Sequence, residues 1–99
     1  MVVAAGFACA ARDWHRYHTP KNLVMALSVE AAELVEHFQW ATPEESLNLA
    51  ATKRAEVADE IADVLIYLTE LADVLEIDPI AAARAKIVKN ALKYPAPSR

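Results

Sequence analysis

Glycine and cysteine are almost missing from this sequence of 99 residues, which contains one of each, Gly6 and Cys9. A single cysteine excludes an internal disulfide and favours a reducing compartment. With one glycine, the chain has no glycine-rich loop of the kind that cradles phosphates. Because alanine is the commonest residue, the composition strongly favours helix.

An excess of positive charge and a long apolar run are also missing. The net charge is -4, which argues against a nucleic-acid partner because nucleic-acid-binding surfaces are normally basic. No segment reaches the roughly 18 uninterrupted apolar residues of a membrane span. The apolar start, residues 1–11, has no positively charged region and no convincing cleavage site after it. We therefore expect a cytoplasmic protein without a membrane partner.

Three prolines mark predicted helix starts, because each follows a residue that commonly caps a helix N-terminus. The pairs are Thr19–Pro20, Thr42–Pro43 and Asp78–Pro79. No alternating strand pattern is present, so the predicted fold is all-α, with a single domain over residues 1–99. The predicted helices cover about 3–17, 20–40, 43–51, 53–76 and 79–93. Four of them are main helices of a bundle, and the short third one is a connection.

Two of the predicted helices carry a pair of carboxylates within apolar sequence. Glu30 and Glu33 lie in SVEAAELVEHFQW, and Glu60 and Asp63 lie in EVADEIADVLIYLTELADVL. Residues three apart are neighbours on one helix face, and helices joined by short turns pack as antiparallel neighbours. The two pairs are therefore predicted to form a four-carboxylate cluster. The alternative is that each pair belongs to a solvated helix face.

A cluster of four carboxylates would suit a hard divalent cation. Mg²⁺ takes oxygen ligands, keeps several waters and is commonly shared between protein carboxylates and substrate phosphates. A non-catalytic helical interaction module, whose acidic stripes meet a basic partner, would explain the same residues. Divalent metal binding separates the two hypotheses, because a protein-binding face does not need Mg²⁺.

Aromatic and histidine residues near helix ends are candidates for a nucleotide pocket. Trp14 and Trp40 are either core side chains or lie where a planar base could stack. His18 is interpreted as a polar pocket residue. The histidines lack the spacing of a zinc site, and His15 and His37 are interpreted as surface or packing groups. The hydrophobic content of 56% is high for a short chain, which indicates a subunit interface.

Three segments carry a family resemblance, FACAARDWHRYHTPKNLVMALSVEAAELVEHFQW, DEIADVLIYLTELAD and KIVKNALKYP. They resemble the MazG-like all-α nucleoside triphosphate pyrophosphohydrolases, and within them the dCTP pyrophosphatase branch, over about residues 7–95. The resemblance implies an enzyme that uses Mg²⁺, with Mn²⁺ as a substitute. Its substrate would be a nucleotide, a dNTP with dCTP foremost and other standard or modified dNTPs included.

The implied reaction cleaves the bond between the α and β phosphates and gives dNMP and pyrophosphate, a task of nucleotide-pool housecleaning. The resemblance also implies a homo-oligomer, a tetramer built as a dimer of dimers, with sites between subunits. Another possible substrate is a different pyrophosphate-containing metabolite, such as a phosphoribosyl nucleotide of histidine synthesis, whose enzymes share this architecture.

The resemblance further implies roles for individual residues. Glu30, Glu33, Glu60 and Asp63 match the metal ligands. As a hypothesis about the mechanism, either Glu33 or Glu60 takes the proton of the attacking water, because crowding by like charges raises the pKa of a carboxylate. Lysines of the C-terminal segment would steady the β and γ phosphates. The positions matched to substrate binding are Trp14, His18, Asn22, Trp40, Tyr67, Lys86, Asn90, Lys93 and Tyr94.

Overall fold

The computed structural model describes residues 19–94, which form helices joined by short connections. The helices are α1 (Pro20–Glu36), α2 (Pro43–Leu47), α3 (Ala51–Val74) and α4 (Pro79–Lys93). Within the described residues no strand occurs, so the all-α prediction is confirmed there. The predicted first helix, 3–17, lies outside the described residues, as does the chain after Tyr94.

Local capping explains where α1 and α4 begin. The Thr19 side chain accepts a hydrogen bond from the backbone N–H of Asn22 at 3.3 Å, at the start of α1. The Asp78 side chain accepts from the N–H groups of Ile80 and Ala81 at 3.0 and 3.1 Å, at the start of α4. These side chains satisfy N–H groups that have no carbonyl partner within the helix. The three predicted starts at proline are confirmed.

The end of α1 lies earlier than the sequence predicts. The helix stops at Glu36 instead of continuing to Trp40, and residues 37–40 form a turn. The N–H groups of His37 and Phe38 each bond to a carbonyl three residues back, at 3.2 and 2.9 Å. Such bonds tighten the last turn and end the α-helical pattern. Trp40 consequently lies on a turn and not on a helix.

Helix α3 ends in a Schellman motif that contains no glycine. The N–H of Ile77 bonds to the carbonyl of Ala72 at 2.8 Å, and the N–H of Glu76 bonds to the carbonyl of Asp73 at 3.0 Å. Glu76 adopts a φ of 56°, in the left-handed region that glycine usually occupies at this position. The left-handed conformation costs a residue with a Cβ atom about 1–2 kcal/mol of free energy.

The main packing among the described helices joins α1 to α3. The two helices are antiparallel, because Glu30 lies beside Asp63 whereas the later His37 shares a cavity with the earlier Lys53. This pairing places the acidic face of α1 against the acidic face of α3.

Many large apolar side chains stay exposed, as the high hydrophobic content suggests. All of α4 after Pro79 is exposed, and Ile87 and Leu92 have 67% and 81% of their surface accessible. Among residues 19–94, no helix has both the length and the apolar character needed to cross a membrane. The exposed apolar side chains of α4 are available for contact with another surface.

Candidate functional site

Helices α1 and α3 bring three of the four predicted carboxylates into one cluster. Glu30 comes from α1, Glu60 and Asp63 come from α3, and one oxygen of each lies within 4.8 Å of the others. Glu60 is buried, with 9% of its surface accessible, whereas Glu30 is half-buried and Asp63 is exposed. The cluster is therefore closed at Glu60 and open to solvent at Asp63.

The fourth carboxylate, Glu33, lies outside this close group but interacts with Glu60. Hydrogen bonding to Glu30 is the largest cause that raises the pKa of Glu60 from 4.5 to about 8. Burial and the hydrogen bond and charge of Glu33 raise this pKa further in the same direction. In the ion-free protein Glu60 therefore keeps a proton at neutral pH. That proton is shared with a neighbouring carboxylate, and it removes the repulsion that two ionised carboxylates would have at this distance.

Two buried oxygens of this cluster have no hydrogen-bond partner among the described residues. They are Oε2 of Glu30 and Oε2 of Glu60. Leaving a buried carboxylate oxygen unpaired is costly, and such groups in proteins usually have a partner. A divalent cation held by both residues would satisfy both oxygens. The donor set consists of oxygens alone, which fits Mg²⁺ or Mn²⁺ better than zinc.

A polar cavity of about 400 Å³ opens next to the cluster. Glu60 forms part of its wall, so the cluster and the cavity share that side chain. The lining residues are Glu33, Glu36, His37, Lys53 and Glu60. Its volume lies in the range of small-ligand pockets, and its polar wall suits a charged ligand.

An apolar groove of about 470 Å³ lies at the same end of the α1–α3 pair. Its lining residues are Leu34, Val35, Phe38, Gln39, Val57 and Ile61. These residues alternate along both helices with those of the polar cavity. The pair of helices thus offers a polar recess, which Glu60 lines, and an apolar recess, which Ile61 lines.

The predicted substrate-binding residues on α4 are not gathered at the cluster. Lys86, Asn90, Lys93 and Tyr94 are all exposed, and none lines the polar cavity. The Nζ atom of Lys93 lies 5.3 Å from the centre of the Tyr94 ring, a cation–π contact within the chain. Their assignment to substrate or to a neighbouring subunit stays a prediction.

The other predicted pocket residues are spread along the chain. Tyr67 is half-buried on α3, one turn after Asp63, and Trp40 is 89% exposed on the turn after α1. Asn22 lies in the first turn of α1. Trp14 and His18 lie outside the described residues.

Three residues of the cavity wall were not predicted from the sequence to belong to the site. They are Glu36, His37 and Lys53. His37 was expected to be a surface or packing group, and its half-buried side chain faces the cavity. A signal for Lys53 exists in its spacing, because seven residues before Glu60 is close to two helical turns and places both on one face.

Comparison with known proteins agrees with the motifs. The sequence profile of the MazG-like family matches residues 25–99. The chain is 42% identical over 89 residues to dCTP pyrophosphatase 1 of Homo sapiens, covering 88% of this chain and 52% of that protein. It is 41% identical over 88 residues to dCTP pyrophosphatase 1 of Bos taurus, covering 87% and 52%. The chain thus spans about half the length of these curated relatives.

A solved structure is similar over a larger share of both chains. The crystal structure of a pyrophosphatase from Archaeoglobus fulgidus superposes with a TM-score of 0.88 at 47% sequence identity. The similarity covers 94% of this chain and 87% of that chain. Because the family profile matches most of the sequence and the fold is shared at high identity, the chain belongs to the MazG-like family.

Proposed function

We propose that this protein is a nucleoside triphosphate pyrophosphohydrolase that depends on a divalent cation. It would cleave the bond between the α and β phosphates of a dNTP, dCTP foremost, and give dNMP and pyrophosphate. The observation that carries the proposal is the pair of unpartnered buried oxygens on Glu30 and Glu60, next to a polar cavity. The similarity to two dCTP pyrophosphatases and to a pyrophosphatase supports it.

Four carboxylates would divide the work at this site. Glu30, Glu60 and Asp63 would hold Mg²⁺ or Mn²⁺, with Glu33 beside them. The cation, when bound, supplies charge neutralisation for the phosphates and activation of water. Glu60 has to give up its proton to act as a ligand, because a coordinating carboxylate must be ionised.

Of the two candidate bases, Glu33 is the better one on this geometry. Its carboxylate is exposed and lines the polar cavity, so it can reach a water beside the substrate. Glu60 is buried, and its interactions with Glu30 and Glu33 raise its pKa. Glu33 would accept the proton of the attacking water, and Glu60 would remain a ligand.

The nucleoside and the assembly belong to the same proposal. The exposed ring of Trp40 is available to stack on a base, and the apolar groove is a second surface for it. Exposed apolar residues on α4, such as Ile87 and Leu92, support a homo-oligomer, which we propose to be a tetramer. Such a tetramer would bring the basic residues of α4 to a neighbouring subunit. We propose a cytoplasmic location, where dNTPs are found.

The direct test is pyrophosphate release from a panel of NTPs and dNTPs, with Mg²⁺, Mn²⁺ or EDTA. Glu60→Gln should fold and lose activity by more than about 100-fold, because losing a ligand costs more than losing one of its supporting partners. Asp59→Asn is the matched control, since Asp59 precedes Glu60 on α3 but is exposed and outside the cluster.

Two results would count against the proposal. One is cation-dependent turnover that survives in Glu60→Gln. The other is a folded wild-type protein that hydrolyses no nucleotide, which would favour a non-catalytic interaction module or a different pyrophosphate-containing substrate.

A further inference from the structure

The wall of the polar cavity is not uniformly acidic. Of the described residues that line it, Glu33, Glu36 and Glu60 are carboxylic acids, whereas Lys53 is a cation and His37 carries ring nitrogens. A cavity that served only to hold a metal ion would not need a lysine, because an ammonium group repels a cation. The mixed wall indicates a ligand that has both a cation and an anion.

Lys53 lies at the far end of this cavity from the cluster. It is seven residues before Glu60 on α3, which is about 10 Å along the helix axis on nearly the same face. Asp63 lies beyond Glu60 in the opposite direction. The order along α3 is therefore Lys53, then Glu60, which belongs to both the cavity and the cluster, and then the exposed Asp63. An anion that is bound at the cluster and extends into the cavity would approach Lys53.

The ammonium group of Lys53 is only weakly held by the protein. Its ion pair is with Glu56 at 3.9 Å, and the two side chains are 40% and 62% exposed. A pair of this length and exposure contributes little to stability. Lys53 can therefore exchange Glu56 for a ligand at small cost. His37, half-buried on the same wall, has a ring N–H that can donate a hydrogen bond in either protonation state.

We propose that Lys53, assisted by His37, binds the pyrophosphate end of the substrate, that is, the two phosphates that leave together. This inference rests on the proposed function and specifies which residues of this chain hold the leaving group. In the hydrolysis, water adds to the α phosphorus, the bond from that phosphorus to the bridging oxygen breaks, and the electron pair stays with pyrophosphate. Lys53 would stabilise the charge that develops there.

The lysines of α4 do not offer this contact within one chain. Lys86, Lys89 and Lys93 are exposed, and none of them lines the cavity. Among the described residues, Lys53 is the cation on the cavity wall. Replacing Lys53 should therefore weaken binding of the leaving pyrophosphate even if α4 reaches the site of another subunit.

The test separates the two products. Lys53→Met removes the charge and keeps the length of the side chain, Lys53→Arg restores a cation, and Arg54→Met is the matched control at an exposed neighbour that does not line the cavity. Binding of pyrophosphate in the presence of Mg²⁺ is measured by calorimetry. Inhibition of dCTP hydrolysis by added pyrophosphate and by added dCMP is measured by chromatographic detection of the dCMP formed from labelled dCTP.

Lys53→Met should weaken pyrophosphate binding and pyrophosphate inhibition by about tenfold to a hundredfold, the usual worth of a hydrogen bond to a charged group. Inhibition by dCMP should change by less than about twofold, because dCMP lacks the leaving phosphates. Lys53→Arg should recover most of the loss, and Arg54→Met should behave as the wild type.

Other outcomes overturn the inference in distinguishable ways. If the wild type hydrolyses dNTPs but Lys53→Met binds pyrophosphate as well as the wild type, the role of Lys53 is wrong and the proposed function stands. Equal weakening toward pyrophosphate and dCMP would indicate a general distortion of the site. If the wild type neither hydrolyses dNTPs nor binds pyrophosphate with Mg²⁺, both proposals fail.

Discussion

Binding of Mg²⁺ to the carboxylate cluster should release a proton, in an amount that depends on the raised pKa of Glu60. With a pKa of about 8, roughly nine-tenths of Glu60 is protonated at pH 7 and roughly one-tenth at pH 9. A coordinating carboxylate must be ionised. We therefore expect about 0.9 proton released per ion at pH 7 and about 0.1 at pH 9. The apparent affinity for Mg²⁺ should rise about tenfold per pH unit below pH 8 and then level off.

Loss of the same proton makes the ion-free protein less stable as pH rises. The pKa of Glu60 is raised in the folded protein from 4.5 to about 8. Between pH 4.5 and 8 the folded state binds more protons than the unfolded state, so the free energy of unfolding falls as pH rises. The stability that this group contributes is fully present below about pH 4.5 and is lost as pH rises through 8. The unfolding midpoint in EDTA should fall across this window, and Mg²⁺ should offset the fall at the alkaline end.

Calorimetry in buffers of different protonation enthalpy counts these protons. Glu33→Gln removes one of the causes that raise the Glu60 pKa, so it should lower the proton release at pH 7. Asp59→Asn, outside the cluster, should leave it at the wild-type value. Mg²⁺ binding at pH 7 with no proton release would refute the shared-proton description of Glu60.

Two further predictions concern the fold and are measured by denaturant unfolding at fixed protein concentration. Glu76→Gly should raise the free energy of unfolding by about 0.5–1 kcal/mol. Glycine adopts the observed φ of 56° without a Cβ penalty, and its larger loss of backbone entropy offsets part of that gain. A gain of the same size in Glu76→Ala would contradict this reason. Leu23→Ala should cost about 2–5 kcal/mol, because Leu23 is 1% exposed. Val24→Ala, at a residue 49% exposed, should cost much less, and equal losses would show that burial of Leu23 is not the cause.

The starts of α1, α2 and α4 were predictable because the signals that fix them are local, whereas α3 begins at Ala51 without a capping side chain or a proline. A capping side chain and a following proline act within one turn, as at Thr42, which forms a reciprocal capping box with Glu45 at 3.1 and 2.9 Å. The ends were less predictable. No glycine or proline marks the end of α1 at Glu36, and the left-handed residue after α3 is Glu76 instead of glycine.

The cluster was predictable in part, because residues three apart share a helix face. The spacing placed Glu30 with Glu33 and Glu60 with Asp63, but it did not fix how α1 rotates against α3. That rotation puts Glu33 beside Glu60 and outside the closest group. Lys53 could not be assigned to a cavity from the sequence, because its neighbours on α1 depend on the register between two helices.

The two helices that carry the cluster bury few apolar side chains. Within the described residues, the buried apolar side chains are Leu23, Val57 and Ala72, and Ile61, next to Glu60, is 52% exposed in the apolar groove. If a surface that covered this groove also excluded water from Glu60, the neighbour of Ile61 in the sequence, it would raise the pKa of Glu60 further. Assembly and cation binding would then be linked. A covered groove would make the proton on Glu60 harder to remove, whereas a bound cation would neutralise the carboxylate in place of that proton. The metal affinity of this site should therefore depend on whatever surface packs over α1 and α3.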